Sequence, residues 1–230
     1  MTKSDPAVKR SSYRSPLREA QAKATRLAII EAAGRLFVER GYAATSVDAV
    51  AEAAGVGRAT VFTSVGGKAA LLKAAYDVAV VGDDEPIPLP ERPWARHVRE
   101  GESQGERIGR YAEMVTMIDG RYAPIHEAFR GAASADPEVR QLWQEIRAER
   151  RGGAFNFVRL VCDLGPLREG LEREAAADVV WILNDPGLYH QLVLEQGWSS
   201  TYFCSWLTET MHTQLLGLPP RRARRASLRQ

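Results

Sequence analysis

Residues 45–68 constrain the fold of this 230-residue chain more than any other stretch, because two short helical patterns meet there at a glycine. Thr45 stands three residues before Asp48, the spacing of a helix N-cap supported by an acidic side chain. Gly55 follows, and glycine readily adopts the left-handed conformation in which many helices end. A second helix over residues 58–64 comes after a short turn. This arrangement predicts a helix-turn-helix.

The second of these helices carries side chains that can reach phosphates and base edges of DNA. They are Arg58, Thr60, Thr63 and Ser64. A helical hairpin that only packs a core is the alternative, and the spacing alone leaves both interpretations open.

A longer run of ordered sequence signatures surrounds this segment, over residues 25–75. They are Ile29-Ile30-x-Ala32-Ala33, Leu36-Phe37, Gly41-Tyr42, Thr45-Ser46-Val47, Ala51, Ala54-Gly55-Val56, Thr60-Val61-Phe62 and Lys68-x-x-Leu71-Leu72. In these pieces the chain resembles the DNA-binding domain of the TetR family of bacterial transcriptional regulators. The resemblance implies an all-α fold, with an N-terminal three-helix helix-turn-helix head and a larger helical body for effector binding and dimerisation.

The resemblance also implies which residues contact DNA, with Lys68 holding a phosphate at the N-terminus of a fourth helix. The predicted contacts are Thr45, Ser46, Arg58, Thr60, Phe62, Thr63, Ser64 and Lys68. The sequence departs from the family where a tyrosine, a histidine, an aromatic residue and a polar cap are usual. Those positions hold Phe62, Ser64, Val65 and Gly66-Gly67. The departures make the operator sequence and the affinity less predictable.

The net charge of +2 hides a strong asymmetry along the chain. Residues 1–75 hold 12 Lys and Arg against 6 Asp and Glu, whereas residues 76–216 hold 14 against 23. Residues 217–230 hold 5 basic and 0 acidic side chains. A basic N-terminal region beside an acidic middle favours a polyanionic partner at one end of the molecule.

Composition and helical periodicity divide the chain into five segments. We expect a basic arm without fixed structure at residues 1–22, the head with its linking helix at 23–81, a proline-rich loop at 82–93, the helical body at 94–217 and a basic disordered tail at 218–230. Whether the arm and the tail touch DNA stays open.

Within the body, the apolar spacing predicts separate helices over residues 106–118 and 124–134. Asp136-Pro137-Glu138 is a strong start signal for a helix that runs to Cys162, with Gly152-Gly153 as a weak point. A helix over 175–196 is expected to break at Pro186, and a last helix covers 201–216.

The resemblance implies that the last two long helices form a homodimer interface, and a monomeric helical core is the alternative. The predicted interface residues are Val179, Val180, Leu183, Tyr202, Phe203, Trp206, Leu207 and Met211. It also implies an apolar pocket for a small-molecule effector. The candidates for its lining, which an ordinary core would also contain, are Tyr111, Met114, Met117, Tyr122, His126, Phe129, Trp143, Phe155 and Trp181.

Other classes of function find little support in the sequence. It contains no Gly-rich phosphate loop, GxSxG or HExxH motif, so we expect no catalytic residues and no enzyme activity. Cys162 and Cys204 fit neither a metal spacing nor a disulfide framework, so we expect no metal, no cofactor and free thiols in a reducing cytoplasm. No long apolar run predicts a membrane span or a secretion signal.

The sequence thus predicts a cytoplasmic, homodimeric regulator that binds a palindromic operator on double-stranded DNA. We expect a repressor, rather than an activator, that is released by an unknown apolar effector. The alternative is a helical, dimeric effector-binding protein whose altered segment 62–67 has weakened its reading of DNA sequence.

Overall fold

The computed structural model describes residues 16–217, which form helices joined by short loops, with no strand in this range. The helices are α1 Pro16–Ala44, α2 Val47–Ala53, α3 Arg58–Ser64, α4 Lys68–Val81, α5 Pro93–Arg99, α6 Gln104–Ala133, α7 Pro137–Cys162, α8 Arg173–Leu183, α9 Pro186–Tyr189 and α10 Ser200–Leu216. A 3₁₀ turn, Leu89–Glu91, precedes α5, and a π-helical turn, His190–Glu195, continues α9. The predicted all-α fold is confirmed.

Helices α1, α2 and α3 form the head, and α4 joins it to the body. The head core is apolar, with Ile29, Phe37, Val50 and Val61 fully buried. Helices α2 and α3 are each only 7 residues long, too short to be stable alone, so this burial supplies most of their stability.

Helix α1 begins at Pro16, within the stretch 1–22 that we expected to form an arm without fixed structure. Residues 16–22 therefore belong to the first turns of α1. Near the other end, Gly41 has a φ of 77° and kinks the helix. The rest of the predicted arm and the predicted tail lie outside the described residues.

The predicted bounds of α3 and α4 are confirmed to the residue. The predicted N-cap of α2 is wrong by one position, because Ser46 and not Thr45 accepts the hydrogen bond, from the amide of Ala49 at 3.1 Å. Asp48 consequently stands in the first turn without forming a capping box.

Helix α6 is the central element of the body and packs against α4, α5, α7 and α10. It runs unbroken through Pro124, so the prediction of two separate helices is wrong. A proline inside a helix removes one hydrogen bond and costs about 3 kcal/mol. Burial of Tyr122, Ile125 and Phe129 around the proline offsets that cost.

Helix α7 begins at the predicted signal, where Asp136 caps the amides of Glu138 and Val139, and continues through Gly152-Gly153 to Cys162. The predicted break at Pro186 is confirmed, since α8 ends at Leu183 and Asp185 caps α9. Among residues 16–217, no helix combines the length and apolar character needed to cross a membrane.

Helices α8 and α10 divide the predicted dimer residues into two groups. Val180, Phe203, Leu207 and Met211 have no exposed surface, because they fill the core of their own protomer, and this corrects their assignment to an interface. Val179, Leu183, Tyr202 and Trp206 stay partly exposed, and Ile182, which we did not predict, is 58% exposed.

Candidate nucleic-acid interface and internal cavity

The turn between α2 and α3 is built on Gly55. Its φ of 67° lets its amide donate to Glu52 at 3.1 Å and the amide of Val56 donate to Ala51 at 3.0 Å. These two bonds are the Schellman pattern that satisfies the last carbonyls of a helix. A local glycine geometry therefore sets the angle at which α3 leaves the turn.

One side of helix α3 is buried in the head core, and the other side is exposed. Val61 is fully buried, while Arg58, Phe62 and Thr63 are exposed and Thr60 and Ser64 are half-buried. The hydroxyl of Thr63 donates to the carbonyl of Ala59 at 3.0 Å, which leaves its oxygen lone pairs free to accept. The predicted contacts on α3 therefore share one surface.

Arg58 is held in place on that surface. Its guanidinium donates to the Asp48 carboxylate at 2.5 Å and lies 5.4 Å from the ring centroid of Phe62. Both charged side chains of this pair are more than half exposed, and such pairs contribute little to stability. Arg58 can therefore exchange Asp48 for a phosphate or a base edge at small cost.

Thr45 does not belong to this surface. It is 1% exposed, and its hydroxyl lies 2.9 Å from the carbonyl oxygen of Gly41 and 3.1 Å from that of Leu36. The side chain ties α2 to α1 and has no free polar atom for a ligand. Ser46, in contrast, is exposed beside it, so the pair separates into one structural and one surface residue.

Lys68 stands at the N-terminus of α4, as predicted, but the structure adds a partner. Its ammonium lies 4.3 Å from the ring centroid of Tyr42 and 3.3 Å from the carbonyl oxygen of Ala43. The Tyr42 hydroxyl donates to the carboxylate of Asp136 at 2.9 Å, which fixes the ring. Tyr42 thus orients Lys68, a role that the sequence pattern did not indicate.

The glycine pair before α4 has a geometric reason. Gly66 has a φ of 123°, and a Cβ there would lie 3.0 Å from the Cβ of Ala70. A side chain at this position is therefore strained as well as crowded. Gly67 has an ordinary extended conformation and caps α4 without a side chain, as we expected.

The body contains a large cavity, open to solvent on one side, of about 1340 Å³ between α4, α5, α6, α7 and the loop at 82–92. Its walls are mainly apolar, with Val98, Val115, Ile118, Ile146 and Phe157 among them. A volume of about 300–1,000 Å³ is typical of a small-molecule site, so this space admits a ligand without rearrangement of the fold.

The predicted pocket residues reach this cavity only in part. Tyr111, Met114 and Tyr122 line it. Met117 and Phe155 are 42% and 43% exposed on outward faces of their helices. His126, Phe129 and Trp143 pack on one another beside the cavity, and Trp181 lines a separate surface groove.

The cavity wall also contains two charged residues that we did not predict, because the apolar spacing of a helix does not indicate charged positions. Asp119 lines the cavity and is 2% exposed. Arg150, also in the wall, donates to the carboxylate of Asp185 at 3.0 Å and to the side-chain and main-chain oxygens of Asn184, both at 3.1 Å. Burial raises the pKa of Asp119 well above its usual value, and the charge of Arg150 only partly opposes this.

Burial also dominates the other titratable groups nearby. It raises the pKa of Tyr111 to about 12, although the phenol oxygen accepts a hydrogen bond from Asn184 at 2.8 Å. It lowers the pKa of His126 to about 3, despite Asp185 at 3.8 Å. Both groups are therefore neutral near pH 7 and add no charge beside the Arg150–Asp185 pair.

The loop at 82–92 closes one side of the cavity and is well fixed. Arg92 is 4% exposed and donates to the Asp83 carboxylate at 2.6 Å and to the Glu85 carbonyl at 2.9 Å. The same loop reaches the head, where Asp84 pairs with Arg26 at 3.3 Å. Arg26 also donates to the main-chain carbonyl of Ser64, at the end of α3, at 2.7 Å.

Known proteins share this architecture. Residues 29–75 match the family model described as bacterial regulatory proteins, tetR family. The head of this chain is therefore similar to the DNA-binding region of TetR-family regulators. The match covers the buried face of α1, the whole helix-turn-helix and the first half of α4, so it includes the predicted DNA contacts.

Similar proteins match well beyond the head. An uncharacterized HTH-type transcriptional regulator of Bacillus subtilis, YdeS, is 25% identical over 158 residues, which are 68% of this chain and 74% of that protein. The solved structure of NalD from Pseudomonas aeruginosa, the secondary repressor of a multidrug efflux pump, aligns with a TM-score of 0.63 at 22% identity, over 85% of this chain and 98% of its own. FadR from Bacillus subtilis, in complex with stearoyl-CoA, aligns with a TM-score of 0.64 at 17% identity, over 80% and 96%.

Proposed function

We propose that this protein is a sequence-specific, DNA-binding transcriptional regulator of the TetR family that acts as a homodimer in the cytoplasm, without enzyme activity of its own. The observation that carries the proposal is α3, which is anchored by the buried Val61 and presents Arg58, Phe62 and Thr63 outward. A short helix held this firmly can enter a major groove and read base edges.

The proposed DNA contacts are the predicted ones, apart from the buried Thr45. Ser46, Lys68 and the hydroxyls of α3 are suited to phosphates, while Arg58 and Thr63 are suited to base edges. A dimer would place two such heads about one DNA turn apart, which fits a palindromic operator. The exposed part of α8 and α10, including Ile182 and Trp206, is the proposed dimer face.

We further propose that the protein represses transcription and leaves DNA when a small apolar effector occupies the cavity. The cavity volume and its apolar walls support an effector, and the similar folds of the repressor NalD and of FadR with bound stearoyl-CoA agree with it. Release requires that the effector binds more tightly to the conformation that does not fit the operator.

One route for this coupling runs through α7. The helix lines the cavity with Ile146 and Arg150, and its N-cap Asp136 accepts the hydrogen bond of Tyr42. Tyr42 in turn lies against the ammonium of Lys68. A shift of α7 by a bound effector would therefore move the side chain that we assign to a DNA phosphate.

A second route runs through the loop at 82–92, which borders the cavity and contacts the head. Asp84 of this loop pairs with Arg26, which holds the last carbonyl of α3 at Ser64. Because Arg26 touches both, displacement of the loop would change the support of the recognition helix. Arg26→Gln should weaken the effect of an effector on DNA binding more than it weakens DNA binding itself.

The proposed function is tested by titrating the protein against duplexes from the region upstream of its own gene and against scrambled duplexes, over a salt series. We expect two protomers per site and a loss of about 1–3 kcal/mol for each critical base change. The double variant Thr60→Ala/Thr63→Ala should lose this discrimination, while Gln144→Ala, at an exposed position of α7 outside the proposed dimer face, should keep it. Binding that follows salt but ignores sequence would refute a sequence-specific regulator and favour a dimeric effector-binding protein with weakened DNA recognition.

A further inference from the structure

One buried carboxyl group in the cavity wall has an oxygen without a hydrogen-bond partner. Asp119 lies midway along α6, is 2% exposed and lines the cavity. Its Oδ2 has no hydrogen-bond partner among the residues that the structure describes. An unpaired polar atom in such a place costs about 1–3 kcal/mol, so its retention calls for a compensating group.

The neighbours of Asp119 do not supply that group. The charged side chains that face it are Arg150 from α7 and Asp185 from the start of α9, and these two are paired with each other at 3.0 Å. The remaining titratable neighbours are the phenols of Tyr76, Tyr111, Tyr122 and Tyr189, from α4, α6 and α9. The charge of Arg150 is therefore already balanced, whereas a charge on Asp119 is not.

The surfaces beside Asp119 suit a cation with an apolar body. Tyr76, Tyr111 and Tyr122 line the cavity with aromatic rings, and aromatic faces attract cations when water is excluded. Val115, Ile118 and Phe157 add aliphatic and aromatic wall. An apolar molecule with one protonated nitrogen would match both the walls and the unpaired carboxyl.

We infer that the effector cavity binds a small organic cation, an apolar molecule with a single protonated amine that pairs with the Asp119 carboxylate. The inference rests on the proposed function of the cavity as an effector site and names the ligand class for it. An anionic ligand could pair with the exposed Arg99 or Arg159, which also line the cavity, but it would leave Asp119 without a countercharge. A neutral ligand would leave the carboxyl without a countercharge.

Burial raises the pKa of Asp119 well above its usual value, so this carboxyl loses its proton at a higher pH in the empty cavity than it would in water. An alkylammonium ion beside it favours the charged form and lowers that pKa. Below the pKa of the empty cavity, binding of the cation therefore releases a proton to the buffer, whereas binding of a neutral ligand releases none.

The experiment is a calorimetric titration of the full chain with three probes of equal chain length: decylammonium, decanoate and decanol, each below its aggregation concentration. Titration at several pH values, each in two buffers with different ionisation enthalpies, gives the number of protons released. We expect decylammonium to bind about tenfold or more tightly than either other probe, and to release a proton in the pH range where Asp119 of the empty cavity is protonated.

Asp119→Asn keeps the shape of the side chain and removes its charge. The variant should bind decylammonium about tenfold more weakly and without proton release, while its affinity for decanol stays within about twofold. Glu113→Gln, an exposed carboxyl on the same helix, should behave like the parent protein. The proton count of the parent protein tests the inference even if the Asn variant does not fold.

Tighter binding of decanoate or decanol than of decylammonium, binding of none of the three, or decylammonium binding without proton release at every pH tested would each overturn the inference. These titrations contain no DNA, so their result is independent of whether the protein reads an operator. A protein that reads its operator but prefers decanoate would retain the proposed function and lose the inferred ligand class.

Discussion

The head and the body of this protein treat buried polar groups in opposite ways. In the head, the buried hydroxyl of Thr45 is satisfied by two carbonyl oxygens, at 2.9 and 3.1 Å. In the body, Asp119, His126 and Trp181 each bury a side-chain atom that lacks a partner among residues 16–217. The buried hydroxyl of the head thus has hydrogen-bond partners, whereas the body contains buried polar atoms without partners. The difference matches a head that must be rigid and a body that must bind a ligand.

The largest expected loss of stability distinguishes a core phenylalanine of the head from a surface phenylalanine. Phe37 has no exposed surface, and Phe37→Ala should destabilise the protein by about 3–5 kcal/mol. Phe62 is 44% exposed, and Phe62→Ala should stay within about 0.5 kcal/mol while it weakens DNA binding. Denaturant unfolding of both variants measures this, and equal losses of stability would show that α3 depends on Phe62 for its packing.

In the body, the next largest effect should be a gain. Asp119→Asn should raise the free energy of unfolding by about 1–3 kcal/mol at neutral pH, because the unfolded aspartate ionises freely and the buried one does not. Because the pKa is raised, the stability from Asp119 is complete below the ordinary aspartate pKa of 3.8 and is lost as the pH rises above it. The gap between variant and parent should therefore close at acidic pH.

Urea titrations at several pH values check this prediction, with Glu113→Gln as the exposed carboxyl control on the same helix. A gap that stays constant from acidic to neutral pH would show that the effect of the Asn variant is steric and unrelated to ionisation.

Removal of the buried hydroxyl in the head, in contrast, should lower the stability. Thr45→Val keeps the shape but leaves the carbonyls of Gly41 and Leu36 without their shared donor, at a cost of about 1–2 kcal/mol. Its effect on DNA binding should be no greater than this loss of stability explains. Thermal unfolding together with operator titration measures both, and selective loss of DNA affinity in a stable variant would return Thr45 to the contact surface.

The smallest effect concerns a single phosphate contact. Lys68→Ala should weaken binding to all duplexes alike and lower the slope of log affinity against log salt by about one. Lys73→Ala is the matched control, since this lysine of the same helix pairs with Asp77 at 2.7 Å. Tyr42→Phe, which removes the hydrogen bond to Asp136, should leave the slope near the parent value but weaken the response to an effector. An unchanged slope in Lys68→Ala would exclude a phosphate contact by that side chain.

The sequence by itself determined the parts of this protein that local rules control. The bounds of α3 and α4, the turn at Gly55, the cap at Asp136 and the break at Pro186 depend on a few neighbouring residues, and each was predictable. The same local reasoning separated α6 into two helices at Pro124, because it could not weigh the long-range packing that holds the helix together.

Only the tertiary structure decided which polar and apolar side chains face a partner, a core or a cavity. Helical spacing assigns a face to Phe203 and to Asp119, but not the element that packs on that face. Phe203 consequently proved to be protomer core, and Asp119, a charged residue within an apolar pattern, proved to lie in the cavity wall. The contacts of these residues come from helices far apart in the chain, so their environment is a property of the assembled bundle.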